Sequence, residues 1–447
     1  MGKKQNAGGE RLKEEDLLIE VLSRLDVRTL LVCKAVSKTW HSLISSPTLV
    51  KCHLSRAITS SSSEDNKKTA LIVRLFNNEE DSSFSLYQLG GCDDNVVHLD
   101  FPYSTGDYPC TPPSFLIGCV CGIVCVSAIV NFRWFTTEKR TDIYIWNPAT
   151  KRLKLIPRHT LDNGKGNAAL GFGFDPIDFD FKVVRVLSKD TFPEVYSLNK
   201  NVWRNIETRL SDILYRHRIE TCLHGFLFAI GHNGMMAFDL NKEVFICDIS
   251  LPVRSNDACI ADFKDSVPVI IFNFSEKVDR IKLWTLDDEA CLRGVGVKAS
   301  WTMMLTIDVG VRVDWVYGIF NSVELLLARS GDWFLYNLDK KVGRYIDTDL
   351  FFDFHEVFKY TETLLPVTGS KLVNWSDDVD DNEESSTDLE EVSEESRIDS
   401  EDDDERSSVG VGSEDGNEES TGGSEDDEEN IRDKDDNEEK SSDSGDE

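Results

Sequence analysis

The stretch "IYIWNPATKRLKLIP", residues 143–157, decides the fold: alternating apolar residues lead to an aromatic, a short polar turn follows, and a second strand returns. The unit recurs as "YQLGGCDDNVVHLDFP" (87–102), "YSLNKNVWRNIE" (196–207), "FDLNKEVFICDISLP" (238–252), "WTLDDEACLRGVGVKASWTMMLTI" (284–307) and "YNLDKKVGRYID" (336–347). Its leading aromatics, Tyr87, Trp146, Tyr196, Phe238, Trp284 and Tyr336, are spaced by 59, 50, 42, 46 and 52 residues. That spacing suits four strands and their loops, the unit of a β-propeller, whose radial closure leaves only short strand edges. Six units predict six blades over residues 68–367. "LIVRLF" and "FSLYQL" at the start are expected to be completed by "HEVFKYTETLLP" (355–366), a strand exchange that closes the ring.

Upstream the period changes to that of helices. "EEDLLIEVLSRL" (14–25) carries Leu17, Leu18, Val21, Leu22 and Leu25 at helical spacing, with acids at the positive N-terminal end. A second helix is expected through "RTLLVCKAV" (28–36). A third runs through "SKTWHSLIS" (37–45), capped by Ser37 and stopped at Pro47. Three short helices over 12–56 bury too little surface to be self-sufficient, which implies a missing partner wall. The Ser-rich "ITSSSSEDNKK" reads as a hinge, giving a linker at 57–67, and residues 1–11 read as disordered.

Charge is concentrated at one end. The chain has 447 residues and a formal net charge of −32, and 34 acidic against 5 basic residues fall between Ser376 and Glu447. The body is therefore nearly neutral, which makes nucleic acid an unlikely partner. The segment 368–447, dense in like charge and poor in apolar residues, is expected to be a disordered acidic tail.

Eleven scattered cysteines, with no signal peptide before them, read as reduced thiols. Cys119, Cys121 and Cys125 share the parity of one strand face and read as core strand rather than as metal ligands, so no metal and no cofactor is expected. No apolar run reaches the roughly 20 residues of a membrane span, and no membrane partner is expected. "DPIDFDF" (175–181) lacks the glycine and glutamate of a calcium loop and reads as a solvated turn. Nucleophile-elbow and zinc-protease motifs are missing, so the chain reads as non-catalytic.

The order "DLLIEVLSRL", "VSKTW", "LISSP" resembles the plant F-box. Residues 68–367 resemble the F-box associated domain, a kelch-like propeller, through "IYIWNPATKRLKLIP", "GFGFDPIDFDFKVVRV", "EVYSLNKNVWRNI" and "GVKASWTMMLTI". The resemblance implies a three-helix hook that docks on the Skp adaptor of a cullin-RING ubiquitin ligase, with Leu12, Leu17, Leu22, Leu25, Leu30, Val36, Trp40 and Leu43 carrying or supporting docking. It departs from the family at Lys13 and Asp26, where proline is usual, which implies weakened docking. The propeller would capture an unknown protein client for ubiquitination. A candidate contact is the loop "FRWFTTEKRT" (132–141), with Phe132, Trp134 and Phe135 as anchors. "PRHTLDNGKGNAA" (157–169) is a second long loop. The alternative is a kelch-type interaction scaffold outside any ligase. Nuclear and cytoplasmic residence both fit.

Overall fold

A computed structural model describes residues 14–61 and 69–372 apart from loop segments, the longest being 102–113, 131–139, 159–167, 211–218 and 347–355. The chain divides into two compact units, Met1–Asp378 and Val379–Glu447. The second unit lies outside the described residues, as do residues 1–11 and the expected acidic tail from residue 373 on; residues 368–372, counted with that tail from sequence, instead form a turn and a short paired strand.

Four helices open the first unit, one more than the sequence suggested: α1 (Glu14–Leu22), α2 (Val27–Val36), α3 (Lys38–Ile44) and α4 (Pro47–Ser61). Each boundary has a local cause. Asp26 caps α2, its Oδ1 accepting from Thr29 N–H at 2.8 Å and its Oδ2 from the Thr29 hydroxyl at 2.7 Å. Ser37 ends α2 and caps α3 through the Trp40 N–H at 3.2 Å, as expected. Pro47 stops α3 but also begins α4, where its missing N–H costs nothing, with Ser46 accepting from the Leu49 N–H at 3.3 Å. α4 thus runs into the stretch read as a hinge.

Six sheets follow among the described residues. Blade one takes β1 (Thr69–Phe76), β2 (Ser82–Leu89) and β3 (Asn95–Leu99). Blade two has β4 (Ser114–Val120), β5 (Ile123–Val130), β6 (Arg140–Asn147) and β7 (Arg152–Leu155). Blade three has β8 (Ala169–Asp175), β9 (Asp180–Val186), β10 (Glu194–Ser197) and β11 (Val202–Asn205). Blade four has β12 (Thr221–Leu223), β13 (Phe226–Ile230), β14 (Met235–Asp239) and β15 (Val244–Ile249). Blade five has β16 (Ala258–Ile260), β17 (Pro268–Phe272), β18 (Arg280–Leu286) and β19 (Trp301–Asp308), with a helical turn α5 (Ala290–Arg293) before its last strand. Blade six has β20 (Trp315–Phe320), β21 (Glu324–Arg329), β22 (Asp332–Asn337) and β23 (Val342–Ile346). The first blade is completed by β24 (Val357–Tyr360), which pairs antiparallel with β1, Ile72 opposite Phe358. The expected strand exchange is therefore present, and ring closure joins the two ends of the propeller.

All six repeat aromatics fall on the third strand of their blade, and each packs toward the preceding blade. Trp146 joins the core between blades one and two, Phe238 that between three and four, and Tyr336 that between five and six. Tyr87 lies against Trp333 of blade six at 5.4 Å between ring centroids, closing the circle. In blades two, three, four and six the turn after the aromatic is built alike. Asn147, Asp239 and Asn337 accept from backbone N–H groups two or three residues on, Ser197 does so through its hydroxyl, and the turn exits through Lys151, Asn201, Glu243 or Lys341 at φ between 53° and 57°. The polar turns that marked the repeat are thus side-chain-capped loops.

Two local readings need correction. "GCVCGIVCVS" is a hairpin rather than one strand: β4 and β5 flank a turn at Cys121 and Gly122, both at positive φ, and Cys125 lies opposite Gly118. Its thiols are nonetheless packed, burial pushing Cys121 up to about 12 and Cys119 and Cys125 higher still. No group of metal-ligating side chains occurs among the described residues. "DPIDFDF" is a turn, with Asp175 accepting from the Ile177 and Asp178 N–H groups, but Asp175 and Asp180 are buried. Lys182 and Asn241 supply Asp175, and the Ser197 hydroxyl and Asn199 N–H supply Asp180, with the polar partners that water was expected to supply. No described helix is long and apolar enough to cross a membrane.

Candidate functional site: a helical hook seated on the propeller

The four helices have two apolar faces. The inner one joins Leu22, Val27, Leu30, Ile44, Leu49 and Leu54 to a core shared with blades two and three. Lys51 of α4 stands 4.7 Å from the centroid of Phe179, in the β8–β9 turn. His53 Nε2–H donates to the Leu25 carbonyl at 3.1 Å, tying α4 to the end of α1. Burial holds the His53 imidazole below its usual range, outweighing the Leu25 hydrogen bond and nearby Asp26, and its Nδ1 has no hydrogen-bond partner among the described residues. On the solvent side Glu20 takes Arg24 at 2.6 Å and also Arg56, so one carboxylate links α1 to α4, and those hydrogen bonds hold it below the usual carboxylate range.

The outer face faces water. Leu17, Leu18 and Val21 of α1 are exposed, as are Val32 and Val36 of α2, at 64% and 70%, and Trp40 of α3. Burying a large apolar side chain is worth about 1.5–3 kcal/mol; because several of these are partly covered, closing a partner over all six represents on the order of 5–10 kcal/mol.

The residues singled out from sequence therefore divide. Leu17, Val36 and Trp40 are on the open face. Leu22 and Leu30 are buried, and Leu25 and Leu43 are half-buried against the same core, so these four support the hook from inside. Leu12 lies outside the described residues. Leu18, Val21 and Val32 were missed as site residues; their signal was the second apolar stripe of α1 and α2. Asp26, one of the two departures from the resemblance, makes two capping hydrogen bonds at the start of α2. Phe132, Trp134 and Phe135 lie outside the described residues. The start of the second long loop is pinned, Arg158 meeting Asp142 through two hydrogen bonds of 2.6 and 2.8 Å.

The described residues thus form a helical hook with exposed apolar side chains, seated on a six-bladed ring. The F-box model matches residues 15–51, and the F-box associated beta propeller model matches residues 70–293. The chain belongs to the F-box proteins that carry this propeller domain. Relatives from Arabidopsis thaliana include F-box protein CPR1, 24% identical over 65% of this chain and 72% of that protein. F-box protein At3g49450 is 25% identical over 73% of this chain and 83% of its own length. A bacterial protein of unknown function from Desulfotomaculum acetoxidans overlays 65% of this chain and 89% of its own at 9% identity, with a TM-score of 0.40. With its F-box and propeller, this chain has the domain composition of a ligase substrate-recognition subunit.

Proposed function

We propose that this chain docks on a Skp-family adaptor through the open face of its hook, and through it on a cullin-RING ubiquitin ligase, while the propeller captures a client protein. The observation that carries the reading is the outer face of α1 to α3: Leu17, Leu18, Val21, Val32, Val36 and Trp40 remain in water although the inner face of the same small module is fully used. The chain supplies no wall for that face among its described residues. The role is non-catalytic. Tethering client lysines near a charged conjugating enzyme turns a bimolecular encounter into an effectively intramolecular one, and that proximity supplies the rate.

Proximity labelling by the native chain and by Trp40→Ala, with mapping of ubiquitin remnants, tests the whole reading. Expected is a set of neighbours common to both forms, whose remnants disappear in the variant. Unchanged remnants in the variant would refute it.

A further inference from the structure

After β24 the chain does not leave the ring. Residues 361–370 cross blade two and end in β25 (Lys371–Leu372), which pairs with the outer strand β7, Lys371 opposite Leu153. Thr363, Leu364, Leu365 and Val367 of this strap are buried, and the last three belong to the same core as the hook residues Leu22, Leu30 and Leu54. Asn147, wholly buried in the β6–β7 turn, pins the strap: its Nδ2 donates to the Thr363 carbonyl at 3.1 Å and to the Leu365 carbonyl at 2.9 Å. Gly122 marks how close the strap runs. It has φ +76°, and a Cβ there would stand 2.0 Å from the Thr361 carbonyl oxygen.

We propose that the strap is a positioning element for the hook. The hook's inner face rests on blades two and three and on residues contributed by the far end of the chain, so the hook is fixed in place only once β24 has closed the ring and the strap has been laid down. The helices are synthesised first, yet their seat is completed last. The consequence for client presentation rests on the ligase reading above; the seating itself does not.

Asn147 and Asn337 provide a matched pair for the test. Both cap the same turn through Oδ1, but only Asn147 also donates to the strap. Asp239 occupies this position in blade four, so an aspartate satisfies the turn. In the full chain, Asn147→Asp keeps the cap and turns two strap hydrogen bonds into repulsion, whereas Asn337→Asp changes the cap alone. Hydrogen exchange is read at α4, at the strap amides of Leu365 and Ser370, and in blade six. Expected for Asn147→Asp is exchange at α4 about fivefold faster or more, with blade six unchanged, and no effect at α4 from Asn337→Asp. Gly122→Ala, which cannot be accommodated without moving the strap, and Leu365→Ala, which trims it without adding charge, are expected to act likewise. Faster strap exchange with α4 protection intact in these variants would overturn the proposal. Adaptor binding is not needed for this readout, so its loss in Trp40 variants bears only on the ligase reading.

Discussion

Lys182 Nζ lies 3.1 Å from Asp175 Oδ2, with the two side chains 3% and 0% exposed, at the joint between blades three and four. Lys182 also reaches the Leu240 carbonyl and Glu243, and Asn241 donates to Asp175 at 3.2 Å, so each end of the pair is further satisfied by the next blade. Burial alone would raise Asp175, but the hydrogen bonds from Lys182, Asn241 and two backbone N–H groups outweigh it and hold it below the usual carboxylate range.

Removing one partner of such a pair strands the other. Asp175→Ala is expected to destabilise the propeller by about 3–5 kcal/mol, whereas replacing both residues with apolar ones of similar volume costs far less. A double-mutant cycle by thermal unfolding measures the difference. The sign with pH follows from the lowered carboxyl: the pair's contribution is complete above the unfolded value near 4 and is lost as pH falls through the lower folded one.

His53 sets a second pH window. Its folded form is held neutral by burial, so the unfolded state binds the proton more readily. Stability of the hook is complete above the unfolded value of about 6.5 and falls as pH drops below it. Relative to its intrinsic rate, which itself falls with pH, exchange at α4 should show an excess of opening at about pH 5.5 over that at neutral pH. His53→Gln, which keeps a donor for the Leu25 carbonyl, should remove that excess, and an excess that survives the substitution would contradict this role.

Inner and outer hook residues should behave oppositely. Leu30→Ala is expected to cost about 2–5 kcal/mol because it opens a cavity in a fully buried site. Val36→Glu, at an exposed position, should change melting by less than about 0.5 kcal/mol. Charge at Leu22 instead behaves like Leu30→Ala: it disrupts the core and cannot report on docking.

Blade six tests packing on its outer strand. A Cβ at Gly343 would stand 1.9 Å from Phe334 Cζ, so Gly343→Ala must displace that ring from Tyr345, which it meets at 5.1 Å. A loss of about 1–3 kcal/mol in thermal unfolding is expected, as for other overpacked sites.

The propeller was legible because its signal is local. Each aromatic and its turn lie within a few residues, and turn chemistry such as that of Asn337 with Lys340 N–H does not depend on the rest of the fold. The inner strands β12 and β16 were missed because three residues are too few to show a period. Helix α4 was missed because Pro47 reads as a stop and "ITSS" as a hinge until Leu49 and Leu54 have a wall to pack on. Asp175 looked solvated because Asn241, which buries it, lies 66 residues away. In the hook, the apolar residues were visible but their allocation was not. Which stripe of α1 turns inward is decided by contact with blades two and three and with the strap, none of which is near in sequence.

The most direct test of the central claim is titration of the purified full chain with a purified Skp-family adaptor, beside Val36→Glu and Trp40→Ala. The account predicts one-to-one binding by the native chain and its loss in both variants while their melting temperatures stay within a few degrees of the native one. Undiminished binding by both folded variants would contradict it.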